Sequence, residues 1–599
     1  MKSSVIKTYL LLIPLHSLVS SLRRFFGERS YILLLSVIVG TLAGFAAVAM
    51  KYLTIYFHSY GNFLAKNAIS PWLVPAIPFL GVFACVLFVK LWIRGPYEKG
   101  LAGVIENTSH GSSEIPLQKT YSHILTSSVS IGMGTSGGLE APIVLTGSAI
   151  GSNFAKILML GRESRTLLLA CGGAAGLSAV FDSPVAGVLF ACEILLPAFS
   201  IPALIPLLMA SAAAAVVSKI FYSHQTFSMT VPGWETGNLP YYILLGIFAG
   251  LISAYVISIS LKAYRRFEFM KKVWFRAAIG CLFLYVCFLF FPMLKGEGYG
   301  FINHLINGEN AELMTGSPLA FVLDNKWLFI ILIGVLVFVK GAVSVVSIQS
   351  GGDGGMFAPS MFMGAFLGYA LAQILILLGA EHIKTTNFIA AGMGGVLAGV
   401  MHAPMTGIFL IAEITGGYML LVPLMIVSSL SYFVCKKIFP YNIYKSVIAE
   451  RGGTPEPNQN TLAASGVPLA NMIERDFLPV KPDDTLRVVV QTVVKSRHNI
   501  FPVVDDEGKL EGVIVLDNIR QFLLNEQLYD IVLAYDIMIE PGPLLKASDS
   551  LSDAAALFES LKTWNLPVVN SDGKYVGFIS KSGVFDQYRE ILKTKQELF

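Results

Sequence analysis

The sequence predicts an all-α polytopic membrane domain built from two inverted repeats with broken helices, followed by a smaller α/β pair of modules in the cytoplasm. Three observations predict this fold. Of 599 residues, 54% are hydrophobic and only 14% are charged, whereas about 25% of residues are charged in a soluble domain. Short motifs recur at constant spacings within the apolar part, and the composition becomes polar and charged after residue 450.

The N-terminal segment, residues 1–30, is predicted to be a cytoplasmic helix. Arg23, Arg24 and Arg29 come just before the apolar stretch 31–50, and positive charge beside a first span marks the cytoplasmic side. We therefore expect a multi-pass integral membrane protein with both termini in the cytoplasm.

Six apolar stretches approach the length needed to cross a bilayer core of about 30 Å. They are 31–53, 72–93, 240–263, 274–294, 327–347 and 417–436. Three more stretches, 122–155, 165–197 and 354–415, are interrupted by glycine and proline. Irregular backbone is tolerated at membrane depth only where protein or a water-filled cavity surrounds it, which favours a transport site. Close packing of helices through small residues is the alternative explanation.

The membrane domain, residues 31–450, contains an internal duplication. The motif GGLEAP at 137–142 returns as GGMFAP at 354–359. A second pair of motifs, which end at Glu193 and Glu413, is separated by nearly the same length of chain. The predicted repeats therefore span about 31–235 and 240–450. Duplicated halves broken at corresponding places indicate inverted repeats around a binding site at the midplane. We interpret Glu193 and Glu413 as structural residues at helix ends.

Residues 451–466 form a predicted polar linker, after which a different pattern repeats. FPVV at 501–504 returns as LPVV at 566–569. In each copy a helical segment (486–495, 551–561) precedes this strand, and a second apolar strand (513–516, 578–580) follows it. This layout resembles a tandem pair of CBS modules, at 467–525 and 530–595.

An anion that crosses a bilayer loses its hydration, at a cost of the order of tens of kcal/mol unless other dipoles replace the water. Helix N-termini can replace it, because their free N–H groups carry a partial positive charge. The Gly-Gly pairs at 137–138 and 354–355 suit two such helix starts, since glycine allows close approach and Pro142 and Pro359 fit a first helical turn. We expect both starts to converge on one ion.

The two motifs resemble those of the CLC chloride channels and proton-coupled chloride antiporters. The second matches the family's Gly-x-Phe-x-Pro pattern at Gly355, Phe357 and Pro359. The first keeps the glutamate of the family's Gly-Arg/Lys-Glu-Gly-Pro pattern as Glu140, and Tyr444 matches the tyrosine at the inner end of the family's site. The resemblance implies a homodimer, and the short chain without extended cytoplasmic insertions favours the inner membrane of a bacterium.

The resemblance also implies roles for individual residues. Glu140 is expected to be the gating glutamate, whose ionised carboxylate competes with the anion and which leaves the path when protonated. Burial near anions disfavours its charged form, so its proton occupancy should follow anion occupancy. The simpler alternative is a polar residue stabilised by the helix dipole. The implied anion ligands are the Tyr444 hydroxyl and the backbone of Leu139, Gly355, Met356, Phe357 and Ala358.

Two positions depart from the family pattern. The family's Gly-Ser-Gly-Ile-Pro loop should fall at 100–106, where the serine and the proline are both missing. Proton-coupled members often carry a Glu-Glu pair whose second residue relays protons to the inside, and here that position is Ile194. Ile194 is typical of channels, so a passive chloride channel remains the alternative to an exchanger.

The CBS pair has incomplete candidate sites for an adenine nucleotide. The first module has Asp517 and Asn518 after its second strand but lacks the usual hydroxyl, and the second module keeps the hydroxyl as Ser580 but lacks the acid. A structural role in packing is therefore an equal alternative to nucleotide sensing.

The sequence thus predicts anion transport, most simply chloride/proton exchange, with chloride as the bound ion and with neither a resident cofactor nor a metal. A CBS-linked divalent-cation transporter is a distant alternative, because it would need more acidic groups in the pore than Glu140 and Asp353. An enzyme is not expected, because no His-Glu-x-x-His or similar pattern accompanies the nine histidines. The net charge of +4 does not favour a nucleic-acid partner.

Overall fold

The computed structural model describes residues 2–93, 100–109, 113–196, 201–222, 229–270, 272–453, 469–520, 522, 525–547, 549, 551–561, 563–570 and 572–587. The chain divides into two compact units, residues 1–456 and 457–599. Most of the predicted linker, residues 454–466, lies outside the described residues, as does the end of the second predicted module, residues 588–595.

The first unit is helical. Its N-terminal helix α1 (Lys2–Lys66) runs without interruption through both the predicted cytoplasmic helix and the first predicted span. The first repeat continues with α2 (Ile77–Phe88), α3 (Ala102–Ser109), α4 (Ser122–Gly132), α5 (Glu140–Ile157), α6 (Arg162–Phe181), α7 (Pro184–Phe190) and α8 (Ile201–Phe221). A π-helical turn, Ala191–Leu195, prolongs α7.

The second repeat has corresponding helices. They are α9 (Leu239–Glu268), α10 (Val273–Phe290), α11 (Tyr299–Asn307), α12 (Asn310–Leu313), α13 (Lys326–Ser350), α14 (Phe357–Leu377), α15 (Thr385–Met401), α16 (Pro404–Ile414), α17 (Leu421–Ile438) and α18 (Ile443–Glu450). Among the described residues, nine helices are long and apolar enough to cross a membrane. One of them, α8, is missing from the spans predicted from the sequence. It is rich in alanine and accommodates Pro206 in its interior.

The glycines of the broken stretches bring pairs of helices into close contact. A Cβ on Gly147 of α5 would overlap the carbonyl of Gly172 in α6, and a Cβ on Gly364 of α14 would overlap the carbonyl of Gly392 in α15. Gly147 and Gly364 occupy equivalent positions in the two copies of the repeated motif. Packing through small residues therefore accounts for some of these glycines, while others shape the helix starts described below.

Glu193 and Glu413 connect the two repeats by capping each other's short helices. The Glu193 carboxylate accepts hydrogen bonds from the N–H groups of Met405 (3.0 Å) and Thr406 (2.8 Å) at the start of α16. The Glu413 carboxylate accepts from the N–H groups of Val185 (3.1 Å) and Ala186 (3.0 Å) at the start of α7. Each acid thus satisfies backbone donors that a helix start leaves unpaired.

The second unit has two related α/β modules. In the first, helix Leu486–Lys495 precedes β1 (Ile500–Val504), which pairs antiparallel with β2 (Leu510–Val515). In the second, helix Leu551–Leu561 precedes β4 (Asn565–Val569), which pairs parallel with β3 (Leu545–Lys546) and antiparallel with β5 (Tyr575–Ser580). The second strands begin earlier than predicted, at Leu510 and Tyr575, and Leu516 belongs to the next helix instead of the strand.

Candidate functional site

Two helix starts meet at the centre of the first unit. Helix α5 begins at Glu140 and α14 begins at Phe357. Just before them, the Gly138 N–H donates to the Gly355 carbonyl (2.9 Å), and the Gly355 N–H donates to the Gly138 carbonyl (2.8 Å). Gly355 is the repeat equivalent of Gly138, and the two pair antiparallel. When equivalent residues pair antiparallel, a local two-fold axis passes between them, so the two copies of the motif are inverted relative to each other.

Both helix starts keep backbone donors available. Neither α5 nor α14 has a side chain that caps its first turn. Pro142 and Pro359 occupy the third helical position, where proline fits because it lacks the N–H that would otherwise be unpaired. The remaining N–H groups of these two turns, together with the helix dipoles, are suited to an anion or a carboxylate.

In this structure a carboxylate occupies that place. Glu140 is fully buried, and the Tyr299 hydroxyl donates to its Oε1 over 2.6 Å. The backbone N–H of Ala358, in the first turn of α14, faces the same carboxylate. Its second oxygen, Oε2, has no hydrogen-bond partner of good geometry among the described residues. Glu140 therefore lies between the two helix starts. Its Oε1 accepts a hydrogen bond from Tyr299, and its Oε2 accepts none of good geometry from the described residues.

Aromatic rings enclose the start of α14. The Phe357 ring lies 5.8 Å from the ring of Phe181 and 6.2 Å from that of Phe190, measured between centroids. Phe181 also packs edge-on against Tyr299, at 6.2 Å. These contacts keep the carboxylate in an apolar environment, where electrostatic interactions are stronger than in water.

Tyr444 lies at a cavity that reaches the same backbone. Its position is fixed by Asn442, whose side-chain oxygen accepts from the N–H groups of Tyr444 (3.1 Å) and Lys445 (2.8 Å). A cavity of about 330 Å³ is bordered by Tyr444 together with Gly354, Gly355 and Met356, and Arg276 and Arg451 also border it. Glu268 also borders the cavity, so two arginines and one acid leave its lining with a net positive charge.

The structure therefore brings the sequence-predicted anion site together in two parts. Glu140, Ala358 and Phe357 lie at the meeting helix starts. Tyr444 shares its cavity with Gly355 and Met356. Leu139 precedes α5 directly and is buried, and Ile194 is buried in the π-helical turn after α7. Gly100, the first residue of the stretch 100–106 that lacks the expected serine, has a positive φ of 70° and faces the Tyr444 ring.

Sequence reasoning missed several ionisable groups near Glu140. Glu297 is a second carboxyl group that interacts electrostatically with Glu140 and with two amines, Lys51 and Lys340. The Lys340 amine is fully buried and donates to the carbonyls of Leu294 (3.1 Å) and Gly296 (3.0 Å). Lysines inside the apolar stretches 31–53 and 327–347 were a usable signal, because charged residues within spans are rare.

A second buried network anchors the segment before α14. The Asp353 carboxylate accepts from the Thr126 hydroxyl over 2.5 Å and lies 2.9 Å from Nδ1 of His123. The Asp353 N–H donates to the Ser130 hydroxyl over 3.2 Å. His123, Thr126 and Ser130 all belong to α4, so the broken segment of the second repeat is tied to a helix of the first.

A possible metal-ligand cluster lies elsewhere. Within the described part of the chain, only His304, Glu309 and Glu312 place three such ligand atoms together. The cluster is at the surface, and Nδ1 of His304 lies 2.7 Å from a Glu309 carboxylate oxygen and 3.1 Å from a Glu312 carboxylate oxygen. It contains no residue of the candidate anion site.

The three nucleotide candidates lie in the second unit. The Ser580 hydroxyl donates to the Glu474 carboxylate over 2.7 Å. Asp517 forms an exposed ion pair with Arg520 (3.2 Å), and Asn518 lies on the same short helix, Leu516–Arg520. A carboxylate at the Ser580 hydroxyl leaves less room there for a phosphate group, which is also negatively charged.

Comparison with known proteins agrees with these observations. The model of the voltage gated chloride channel family matches residues 81–436. The CBS domain model matches residues 469–525 and 534–590. A relative described as the voltage-gated ClC-type chloride channel ClcB, from Escherichia coli O157:H7, is 25% identical over 436 residues, which are 70% of this chain and 99% of the relative.

Solved structures share the fold. A slow cyanobacterial Cl−/H+ antiporter is similar with a TM-score of 0.60 and 21% identity, over 71% of this chain and 98% of the other. A eukaryotic CLC transporter is similar with a TM-score of 0.60 and 18% identity, over 94% of this chain and 98% of the other.

Proposed function

The chain belongs to the voltage-gated chloride channel (CLC) family of membrane anion transport proteins, and from this premise we propose that it exchanges chloride for protons. Glu140 serves both ions. When ionised, its carboxylate occupies the place of an anion between the two helix starts. When protonated, it leaves that place to chloride. The observation that carries this proposal is the fully buried Glu140 carboxylate at the paired starts of α5 and α14.

The anion path follows from the same geometry. Chloride enters from the cavity beside Tyr444, attracted by Arg276 and Arg451. The Tyr444 hydroxyl and the N–H groups of Phe357 and Ala358 then replace part of its hydration. Farther along, chloride and the Glu140 carboxylate compete for the same donors, because two negative charges cannot share them without strong repulsion.

Exchange with protons follows from this competition. Chloride displaces the Glu140 side chain, whose charge is then more easily neutralised by a proton. A carboxylate that can be reached alternately by the anion and by protons couples the two fluxes in opposite directions. The cyanobacterial structure described as a Cl−/H+ antiporter supports exchange as the mode of transport.

The test uses the purified full chain in liposomes with opposed chloride and pH gradients. We expect Glu140→Gln to abolish proton movement driven by chloride, to the level of protein-free liposomes, while chloride flux continues. Glutamine cannot be ionised, so it neither carries a proton nor competes as a charge. Glu163→Gln is the matched control, since Glu163 also lies in the first turn of a helix but is exposed. Unchanged proton transport in Glu140→Gln would refute the proposal.

A passive chloride channel is the second candidate, and Ile194 favours it. This buried apolar side chain stands where proton-coupled relatives are expected to carry an acid. The E. coli relative described as a chloride channel points the same way. The reversal potential of the wild-type protein separates the two modes: it depends on the pH gradient for an exchanger and follows the chloride Nernst potential alone for a channel.

The remaining expectations complete the proposal. We place the protein in the inner membrane of a bacterium, as a homodimer with both termini in the cytoplasm. We assign it no enzymatic activity, no metal and no nucleic-acid partner. Chloride is the bound ion, and the CBS pair has a packing role without a bound adenine nucleotide.

A further inference from the structure

Glu140 has one side-chain hydrogen bond in the described part of the protein, and its donor is Tyr299. The 2.6 Å separation of the two oxygens is in the range of a charge-assisted O–H···O⁻ bond. Tyr299 is far from Glu140 in sequence, at the start of α11. Neither the anion path nor proton exchange, as proposed above, gives this hydroxyl a role.

The Tyr299 hydroxyl is presented by a firmly held segment. The Lys340 amine binds the carbonyls of Leu294 and Gly296, both just before Tyr299. Gly298, with a positive φ of 99°, lies so close to the Phe362 ring that a Cβ there would overlap it. The Tyr299 ring itself is buried against Phe181. A rearrangement of Glu140 therefore does not carry Tyr299 along with it.

Other charged and titratable groups interact with the pair directly or through Glu297. Glu297 lies on the same segment as Tyr299, Lys340 on α13 and Lys51 on α1. Asp182 follows α6 and acts on Lys51, and Tyr444 on α18 is close enough to interact with Glu140. Of these groups, Tyr299 alone donates a hydrogen bond to the Glu140 carboxylate among the described residues.

We propose that Tyr299 is a positioning residue that latches ionised Glu140 in the anion path and thereby sets the pH at which the path opens. The inference rests on the role proposed for Glu140. A phenol donates to a carboxylate more strongly than to a protonated carboxyl group, so the latch favours the charged, path-blocking form. Protonation weakens this bond and releases the side chain.

The test measures chloride flux against pH for the full chain in liposomes. In Tyr299→Phe the ring remains but the donor is lost, so less acid is needed to release Glu140. We expect the pH of half-maximal flux to move upward by about one unit or more, the size expected for one hydrogen bond to a charged group. The maximal flux should not change. If the pH of half-maximal flux (the half-point) did not change, the proposal would be overturned.

A second substitution should move the pH of half-maximal flux in the opposite direction. Replacing Tyr299 by 3-fluorotyrosine keeps the shape of the residue and makes the phenol a stronger donor, so the half-point should move to lower pH. A purely structural role for Tyr299 would not produce opposite shifts in the two variants. Because the fluorinated protein keeps the native side-chain volume, this arm remains informative if Tyr299→Phe fails to fold. A shift in the same direction as Tyr299→Phe would contradict the latch.

Two controls separate this inference from the proposed function. Tyr242→Phe removes the hydroxyl of another buried tyrosine, which lies in a separate hydrophobic cluster, and it should leave the pH of half-maximal flux unchanged. Tyr299→Phe should have no effect in a Glu140→Gln background. An equal shift in that background would overturn the latch, whereas proton transport that survives in Glu140→Gln alone would overturn the role of Glu140 itself.

Discussion

Gly138 determines how close the Glu140 carboxylate can come to the second helix start. A Cβ at position 138 would overlap Oε2 of Glu140, and it would lie 2.9 Å from the Ala358 Cβ and 3.0 Å from the Ala358 nitrogen. Its neighbour Gly137 has more room, because a Cβ there would meet only Gly354 and Gly355, at 3.6 Å or more. Neither position requires a positive φ. The two adjacent glycines therefore differ in the space around them and not in backbone strain.

Replacing Gly138 by alanine should expel Glu140 from its place between the helix starts. The carboxylate is the movable end of a flexible side chain, so it yields before the backbone of Ala358 does. We expect chloride flux in liposomes to become less dependent on pH, with fewer protons moved per chloride. Gly137→Ala should behave like the wild type. Wild-type coupling in Gly138→Ala would contradict the position assigned to Glu140.

At the scale of residues, the sequence identified the site residues that belong to the repeated motifs. It did not identify residues that come close to these motifs only in the folded protein. Glu140 and Phe357 could be identified because each follows a Gly-Gly pair in a repeated motif. Tyr299 could not, because it lies in an unremarkable connection between spans and meets Glu140 only through tertiary structure. Lys340 was visible as a charge within an apolar stretch, but the carbonyls that it binds were not.

The mutual capping of α7 and α16 is the clearest feature at the scale of elements. Each acid lies near the C-terminal end of its own short helix and places its negative charge at the N-terminus of the other. This position is favourable for the helix dipole as well as for the unpaired N–H groups. Glu193 also accepts from the Thr406 hydroxyl, over 2.7 Å. The two contacts hold together short helices that would be marginal alone.

Removing either capping acid should destabilise the membrane unit without uncoupling transport. We expect Glu193→Ala and Glu413→Ala each to lower the stability by about 1 kcal/mol, as for the loss of a helix cap, with Glu193→Ala the larger because it loses one more bond. Thermal unfolding in detergent measures the effect, and Glu163→Ala is the exposed control. The double variant should lose less stability than the sum of the two single losses, because each acid lies on the short helix that the other acid caps. Altered proton coupling with unchanged stability would contradict this structural role.

The sequence located most elements but not all of their limits. Helices 486–495 and 551–561 were predicted at their observed bounds, because amphipathic patterns end where the polar turns begin. The strands 513–516 and 578–580 were predicted to begin too late, because β2 and β5 continue through Gly512 and Gly577, and glycine is typical of turns and not of strand interiors. Helix α8 was overlooked among the spans, although its composition is apolar throughout.

At the scale of the whole molecule, an antiparallel pair of equivalent residues relates the two repeats. Nearly the same spacing along the chain relates the equivalent residues of three sets of contacts. These are the bridge between Gly138 and Gly355, the reciprocal caps of α7 and α16, and the matched glycine contacts. The spacing between the repeated motifs could be read from the sequence. That the two repeats are inverted could be seen only from the hydrogen bonds between Gly138 and Gly355. Once the halves are inverted, two helix N-termini point toward one place from opposite sides, and neither half alone can form the site.

Whether the CBS pair binds nucleotides also depends on contacts between residues that are far apart in the sequence. In the second module the Ser580 hydroxyl already donates to Glu474, and Ser580 Oγ accepts from the Gly583 N–H over 3.3 Å. A phosphate at Ser580 would have to displace a carboxylate or lie against it, which like charges disfavour. In the first module the strand ends in Val515, and the charge of Asp517 is paired with Arg520. At these two strand ends, the first module has an acid that is paired with Arg520, and the second module has a hydroxyl that is bonded to Glu474.

We therefore expect the full-length protein in detergent to bind neither AMP nor ATP with a Kd tighter than about 1 mM, which is the limit of a weak, non-specific contact. Equilibrium dialysis against labelled nucleotide measures this directly. Glu474→Gln is the informative variant: it removes the repelling charge and frees part of the Ser580 hydroxyl, so weak binding that appears only in this variant would support the electrostatic explanation. Saturable binding to the wild-type protein that is lost in Ser580→Ala would instead show that the second module is a working nucleotide site, because a phosphate would then have replaced Glu474 as the partner of that hydroxyl.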